Sequence, residues 1–276
     1  VYTVSAGDEP GAIMELFDFA DGVGFEVLVA GKGKNNPLDQ SANPDTVREK
    51  AASKNMNPKM LASFVDGTKT MVEMTAVSNA TGFLPSKRGL IGPKATVEEL
   101  PGLLSLKAQG GILDKYHVVE FIRGIAPGVF VIVTTDLPAL KEEMAYLSMG
   151  DGPNYVLYRP YHLAGIETPL SAARAYFYGE ATIVPMGAPV SETVAVAKKD
   201  LKAGEYLDGI GGYTVYGVID TYENARNDNA LPIGLVSSRV MVKKDIKKGE
   251  TIRYDMVKLN ETSVILQLRR IQDEML

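Results

Sequence analysis

The 276-residue sequence contains no cysteine, which excludes disulfides, thiolate catalysis and cysteine-based metal sites. It contains two histidines, His117 and His162, so a zinc site built on several histidines is also excluded. A magnesium or manganese site made of carboxylates and water stays open. The absence of cysteine fits a reducing compartment, and we expect a cytoplasmic protein.

Net positive charge and long apolar runs are missing as well. The net charge of −5 gives no basic field that would gather nucleic acid or an anionic membrane. No apolar run approaches the roughly 18 to 20 residues of a membrane span, and the start of the chain lacks the pattern of a signal peptide. We therefore predict a globular protein with neither nucleic acid nor a membrane as partner.

The length predicts one main domain and an appendage. Strand-like and helix-like patterns alternate over residues 1–185, which predicts a catalytic or substrate-binding domain of the α+β or α/β class, a sheet with covering helices. From residue 186 to 276, short strand-like segments with frequent glycine predict a small all-β domain with a C-terminal tail. The chain opens at Val1 in a strand-like segment, and we expect a truncated or processed piece of a longer protein.

Local signals predict the elements of the first domain. Strands are expected at residues 1–6 and 25–30, on either side of a helix around Ile13. Asn57 and Pro58 are expected as the N-cap and first residue of another helix. The further expected elements are helices at 68–80, 137–147 and 167–178 and strands at 116–123, 129–135 and 155–163.

A repeat marks the second domain. Residues 197–205 and 242–250 share the pattern Lys-Lys-Asp-x-Lys-x-Gly-Glu. Two copies are too few for a solenoid, which needs about three repeats. They predict one small domain of two strand-turn-strand units, each turning at its Lys-x-Gly-Glu.

The segment Gly-Lys-Gly-Lys-Asn-Asn, residues 31–36, is the first candidate for ligand binding. It follows a predicted strand, where open α/β sheets commonly place ligands. Its glycines would let the backbone turn closely around a ligand, while Lys32 and Lys34 would contact an anionic group. The spacing does not match a P-loop, and a solvated turn bearing lysines is the alternative.

Two helices carry further candidates. Lys54 and Asn55 precede a predicted helix, whose N-terminal amides favour an anion, although exposed capping would explain them equally. Glu73 interrupts the apolar residues of the next helix, so we expect a buried carboxylate that acts as an acid, base or metal ligand or else forms a structural ion pair. Asn79, near the end of that helix, would bind substrate or merely cap the chain.

The strand predicted at 155–163 offers a cation, two phenols and an imidazole. Alternation would place Tyr158 and His162 on one face and Arg159 and Tyr161 on the other. His162 is a candidate ligand contact, and packing of its face is the alternative.

Several segments, taken in their order along the chain, resemble those of the homoserine-dehydrogenase-like oxidoreductases that end in a SAF domain. The stretch 188–262, with Leu-Pro-Ile-Gly between the two repeat copies, is similar to the SAF domain, a β-clip-like module. The resemblance covers nearly the whole chain. The matching segments elsewhere are residues 2–10, 31–37, 54–58, 65–74, 79–82 and 158–162.

This resemblance implies a substrate, cofactors and an assembly. The best-known enzyme of the family is the reductoisomerase-like, second type of 1-deoxy-D-xylulose 5-phosphate reductoisomerase of isoprenoid biosynthesis, which uses NADPH and a divalent cation. By analogy we expect NADPH or NADH, with Mg or Mn, a small phosphorylated or acidic polyol as anionic substrate, and a homodimer or higher homo-oligomer.

The resemblance also implies roles for the candidate residues. By analogy Lys32, Lys34 and Lys54, with Asn36 and Asn79, would bind and polarise the substrate, and Arg159 or His162 would close the site. Together with the residue patterns above, the candidate catalytic residues are Lys32, Lys34, Lys54 and Glu73, and the candidate substrate-binding residues are Asn36, Asn55, Asn79, Arg159 and His162. No Gly-x-Gly-x-x-Gly opens this chain. We therefore expect the Rossmann domain to be absent and the chain to be inactive alone, and we assign no cofactor-binding or metal residue.

Two other functions stay open. One is a dehydrogenase of homoserine or a sugar acid. The other is a non-catalytic binding or assembly module, in which the SAF domain mediates association and the lysines are surface features. Convergence of Lys32, Lys34 and Lys54 beside Glu73 or Asn79 would favour an enzyme.

Overall fold

A computed structural model describes residues 5–276, so the strand predicted at 1–6 falls mostly outside the described residues. The helices are α1 (Glu9–Gly22), α2 (Arg48–Ser53), α3 (Pro58–Val65), α4 (Thr68–Thr81), α5 (Leu100–Leu103), α6 (Pro138–Tyr146), α7 (Ala164–Tyr178), α8 (Tyr222–Asn227) and α9 (Val264–Met275). The strands are β1 (Glu26–Lys34), β2 (Leu84–Pro85), β3 (Val118–Arg123), β4 (Val129–Thr134), β5 (Asn154–Arg159), β6 (Ser191–Ala197), β7 (Val215–Thr221), β8 (Met241–Val242) and β9 (Val257–Lys258). Between residues 5 and 276, no helix combines the length and the apolar character that crossing a bilayer requires.

The chain divides into two compact units, each made of two stretches. Unit 1 comprises Val1–Asn35 and Ala76–Gly187, and unit 2 comprises Asn36–Thr75 and Ala188–Leu276. The division falls within α4, so this helix contributes to both units. The predicted mixture of sheet and helices is confirmed.

Unit 1 is built on a five-stranded mixed sheet with the order β2-β3-β1-β4-β5. β2, β3 and β1 run parallel to one another, whereas β4 is antiparallel to both β1 and β5. Helix α1 packs against β1, β4 and β5. It begins after Asp8, whose side chain accepts a hydrogen bond from the amide of Glu9, as an N-cap residue does.

The loop predicted at residues 31–36 was wrong over residues 31–34, where the central strand β1 continues. β1 continues through Lys34, because its last four residues pair with β3 on one side and, through Lys32, with β4 on the other. A Cβ on Gly31 would lie 2.3 Å from the carbonyl oxygen of Glu120 and 2.5 Å from the ring of Phe130. Glycine is therefore required here for close packing between strands and not for a turn. Strand alternation places Lys32 and Lys34 on the same face.

One further expectation about the candidate residues was wrong. β5 ends at Arg159, because Pro160 cannot donate a hydrogen bond to the sheet, so His162 lies beyond the strand and the predicted alternation does not reach it. Lys54 and Asn55 precede the following helix as expected; Lys54 is the C-cap of α2, and Asn55 has a positive φ of 51°. Asn57 caps that helix, α3, as predicted.

Unit 2 contains the antiparallel pairs β6-β7 and β8-β9. The two sequence repeats pair with each other: the amide of Leu201 donates to Ile246 and that of Ile246 to Leu201, both at 2.9 Å. Gly204 and Gly249, with φ of 91° and 82°, make the predicted turn in each copy. The region after residue 186 is not all-β, however, because Thr221 and Ser263 cap the helices α8 and α9.

A buried ion pair joins the two stretches of unit 2. The Nζ atom of Lys198 lies 2.7 Å from a carboxylate oxygen of Asp66 and donates to the carbonyls of Ala42 and Gly212 at 2.6 and 2.8 Å. Because three acceptors surround it, the ammonium is satisfied without a ligand. Lys198 therefore fixes residues 36–75, which carry four of the predicted site residues, onto the second stretch of the unit.

The packing at Gly31 predicts a large effect of a single methyl group. We expect Gly31→Ala to lower the free energy of unfolding by about 1 to 3 kcal/mol, because the added Cβ overlaps the β3 backbone and the Phe130 ring. Gly102→Ala, in a helix with open space around its Cβ position, is the matched control and is expected to be neutral or slightly stabilising. Urea unfolding of both variants tests this, and equal stability of the two would contradict it.

Candidate functional site

A cluster of charged side chains lies in unit 1, where the N-terminus of α1 meets β1. Nζ of Lys32 donates a hydrogen bond to Oε1 of Glu9 at 2.6 Å, and the two side chains are 5% and 10% exposed. Glu9 is the first residue of α1, and Asp8 is its cap. The helix N-terminus favours these two carboxylates electrostatically.

His162 extends this cluster. Its Nδ1 lies 3.2 Å from the carbonyl oxygen of Gly7, which only accepts, so Nδ1 carries a proton. Its Nε2 lies 3.6 Å from Oε1 of Glu9. Nε2 therefore faces the carboxylate of Glu9. We call Asp8, Glu9, Lys32 and His162 the Lys32 cluster.

The Lys32 cluster contains a donor set for a cation. One ligand atom each from Asp8, Glu9 and His162 lie within 4.8 Å of one another. Two carboxylates and an imidazole are ligands that manganese accepts, and magnesium accepts the carboxylates. The residues present therefore fit a divalent metal of the kind that the sequence resemblance implied.

The environment of Lys32 changes its acidity. Burial lowers the pKa of Lys32 from its ordinary value, although the carboxylates of Glu9 and Asp8 act to raise it. A buried ammonium with a lowered pKa gives up its proton more readily than a solvated lysine. Lys32 is therefore suited to proton transfer as well as to charge stabilisation.

Arg159 holds the segment that carries His162. Its guanidinium donates to Glu15 of α1 at 2.7 Å and to both oxygens of Glu167 of α7, each at 2.7 Å. Glu167 also accepts the amide of Leu163 at 2.9 Å. These bonds join β5, α1 and α7 and fix both ends of the connection in which His162 lies. In the structure Arg159 therefore positions His162.

The other predicted residues of unit 1 lie elsewhere in the sheet and in α4. Lys34 is buried at the end of β1, on the face of Lys32. Asn79 lies in α4, and its backbone carbonyl accepts the amide of Met186 at 2.9 Å. Lys32 and His162 are thus the predicted residues that the structure brings together, through Glu9.

The remaining predicted residues belong to unit 2. Oδ1 of Asn36 accepts a hydrogen bond from Nζ of Lys50 at 3.0 Å. Lys54 and Asn55 are exposed. Glu73 is buried and forms an ion pair with Lys69 in the same helix, as in the structural alternative considered for it.

Asp8 and Glu9 are the members of the cluster that the sequence did not single out. Both had a sufficient local explanation, because acidic residues commonly open a helix. Their signal is the adjacent pair of carboxylates in the segment Gly-Asp-Glu-Pro, which opens the helix that precedes the strand with the buried lysine. A buried lysine needs a carboxylate, but Glu15, Asp18, Asp21 and Glu26 lie closer to Lys32 in the sequence, so the sequence alone does not select Glu9.

Comparison with known families places this cluster in a catalytic domain. A family model described as the catalytic domain of oxidoreductase DRL matches residues 7–168, more than half of the chain. The matched stretch contains all four residues of the Lys32 cluster. The chain matches no curated protein.

The contacts of Glu167 predict a pH dependence of stability. Burial acts to raise the pKa of Glu167, but the hydrogen bonds from Arg159 and the Leu163 amide outweigh it and hold the pKa below its ordinary value. A lowered pKa in the folded state contributes stability above the pKa of the unfolded chain, and this is lost as the pH falls through the folded value. We expect Glu167→Gln to lose stability relative to the wild type near neutral pH, and the difference to shrink below roughly pH 4.

Urea unfolding at a series of pH values measures this difference. The exposed Glu142 of α6 offers the control Glu142→Gln, whose stability should follow that of the wild type throughout. A constant gap between the wild type and Glu167→Gln from neutral to acid pH would contradict the assignment.

Proposed function

The chain belongs to the DRL oxidoreductase family through its catalytic domain, and on this premise we propose that the Lys32 cluster is the site of an NAD(P)H-dependent redox reaction on a small anionic polyol or its carbonyl form. The observation that carries the proposal is the buried Lys32 ammonium, held 2.6 Å from Glu9 beside Asp8 and His162. Structural lysines of this kind need one carboxylate partner, whereas here two carboxylates and an imidazole converge.

The proposed reaction interconverts a carbonyl and an alcohol. In the reducing direction a hydride adds to the carbonyl carbon, the electron pair of the C=O bond moves to oxygen, and this oxygen takes up a proton. When bound, a nicotinamide supplies the hydride and a divalent cation supplies polarisation of the substrate oxygens. This chain lacks Gly-x-Gly-x-x-Gly, so we assign none of its residues to the nicotinamide.

The residues of the cluster have distinct proposed roles. The Lys32 ammonium stabilises the negative charge that develops on the substrate oxygen, and it donates the proton. Glu9 keeps Lys32 oriented and charged before reaction. Asp8, Glu9 and His162 are the residues that would hold a divalent cation. Arg159 keeps His162 in place through Glu167.

The sequence resemblance and the family match also bear on the substrate and on whether the protein is an enzyme. The sequence resemblance supports 1-deoxy-D-xylulose 5-phosphate as the first substrate to test, with homoserine and sugar acids as the rivals. The match to a catalytic domain favours an enzyme over a purely binding or assembly module. A SAF identity of residues 186–276 and a homodimer stay predictions.

The turnover test compares variants of two lysines in the complete protein. We expect Lys32→Met to lower kcat/KM by about 100- to 1000-fold, because it removes the charge that stabilises the developing oxyanion. The control Lys141→Met, at an exposed position of α6, should change it less than about twofold. Oxidation of NADPH and NADH is followed with the candidate carbonyl substrates and Mg or Mn. Undiminished turnover by Lys32→Met would contradict the proposed role of this residue.

Metal binding tests the cluster without turnover. We expect Asp8→Asn, Glu9→Gln and His162→Gln each to weaken binding of Mn²⁺ by at least about tenfold, since each removes a proposed ligand. Asp21→Asn, at an exposed position of the same helix as Glu9, should leave it unchanged. Titration of Mn²⁺ followed by electron paramagnetic resonance gives the Kd values. Equal Kd values for the wild type and all four variants would exclude a metal at this cluster.

A further inference from the structure

Three cations lie at one register position in the sheet of unit 1. Lys34, the last residue of β1, pairs with Arg123, the last residue of β3. Arg123 pairs in turn with Lys94 through a parallel bridge. Neighbouring strands are about 4.8 Å apart, and directly paired residues of parallel strands carry their side chains on the same face. The three side chains therefore form one row.

Arg123 and Lys94 form no ion pair with a carboxylate within residues 5–276. Within residues 5–276, the one hydrogen bond of the Arg123 guanidinium joins Nε to the carbonyl oxygen of Gly92 at 2.9 Å, and Lys94 forms no ion pair. Both side chains are exposed. Like charges side by side on a sheet are unfavourable, so an anion bound beside Arg123 and Lys94 would relieve their repulsion.

A buried carboxylate, that of Glu120, holds the loop beside Arg123. Glu120 of β3 is fully buried and accepts hydrogen bonds from the hydroxyl of Ser86 and from the amides of Ile91 and Gly92 at 2.5, 2.8 and 3.1 Å. These bonds hold the loop 86–92, whose Gly92 carbonyl receives Arg123. Burial raises the pKa of Glu120, although its hydrogen bonds act to lower it.

The row lies where parallel strands end. β2, β3 and β1 run parallel, so their C-terminal ends lie at one edge of the sheet. Lys87 and Arg88 follow the end of β2, which adds two basic residues to the loop at this edge. Ligands of open α/β sheets bind outside the carboxyl ends of parallel strands.

We propose that this edge, formed by Lys34, Lys94, Arg123 and the loop 86–92, binds a phosphate group or a comparable dianion carried by a ligand of the enzyme. Arg123 presents a planar guanidinium, which suits phosphate oxygens, and the lysines add charge. We call it the cationic edge. The assignment rests on the proposed function, and it narrows the ligand to one that carries a phosphate-like dianion.

The geometry of β1 connects the cationic edge with the Lys32 cluster. Lys32 and Lys34 lie two residues apart on one face, a separation of about 6.7 Å along a strand. A small ligand with its reactive carbonyl near Lys32 would therefore reach the edge with a dianion several bonds away. The dianion has two sources of the same chemistry, the substrate or a phosphate of the nicotinamide dinucleotide.

Binding of inorganic phosphate is the direct test, measured by calorimetry on the whole chain at constant ionic strength. We expect millimolar binding by the wild type, at least about tenfold weaker binding by Arg123→Ala, and a smaller loss in Lys94→Ala. Arg123→Lys keeps the charge but not the planar guanidinium, so it should bind more tightly than Arg123→Ala and less tightly than the wild type. Lys115→Ala removes the same charge at an exposed position of unit 1 and should bind like the wild type. No binding by the folded wild type, or equal Kd values for Arg123→Ala and Lys115→Ala, would overturn the proposal.

Competition separates the two sources of the dianion. Inhibition by phosphate that is competitive with a phosphorylated substrate assigns the edge to the substrate, and inhibition competitive with NADPH assigns it to the dinucleotide. The calorimetric result does not depend on turnover. Phosphate binding that requires Arg123, together with a complete protein that shows no redox activity, would support the cationic edge and overturn the proposed function. Normal turnover, with phosphate binding that does not depend on Arg123, would support the proposed function and overturn the cationic edge.

Discussion

The burial of the Lys32 ammonium on β1 is the constraint from which the organisation of unit 1 follows. A lysine that is 4% exposed on a central strand is stable only with a carboxylate beside it. Helix α1 supplies Glu9 from its first turn, so the helix must lie over this face of the sheet with its N-terminus at Lys32. Arg159 then fastens the chain beyond β5, which brings His162 to the same carboxylate.

Strand β1 carries charged side chains on one face and is closely packed on the other. Alternation directs Lys32 and Lys34 to one face, while Gly31 and Gly33 leave the other face without side chains. The ring of Phe130 and the backbone at Ala126 occupy the space that Cβ atoms would need. A central strand with charges on one face therefore retains a close-packed apolar layer on the other. This explains why lysine and glycine alternate here without any turn.

Sequence patterns predicted the elements that depend on residues close together in the chain. The Asn57 cap of α3 and the turns at Gly204 and Gly249 depend on residues within a few positions, and the structure has them. The continuation of β1 depends on two strands about a hundred residues further along, and a glycine-rich segment is locally indistinguishable from a loop. The role of Glu9 likewise arises only when α1 docks, because its partner Lys32 is 23 residues away.

The effect of charge also differs between long and short range. The net charge of −5 describes the field far from the protein, and it argues against a polyanionic partner such as nucleic acid. A single phosphate group senses charges within a Debye length, about 8 Å at physiological ionic strength. At that range a ligand beside Arg123 meets Lys94 and the basic loop after β2. An acidic chain can therefore present a local site for a small anion, and the fold, not the composition, determines where it lies.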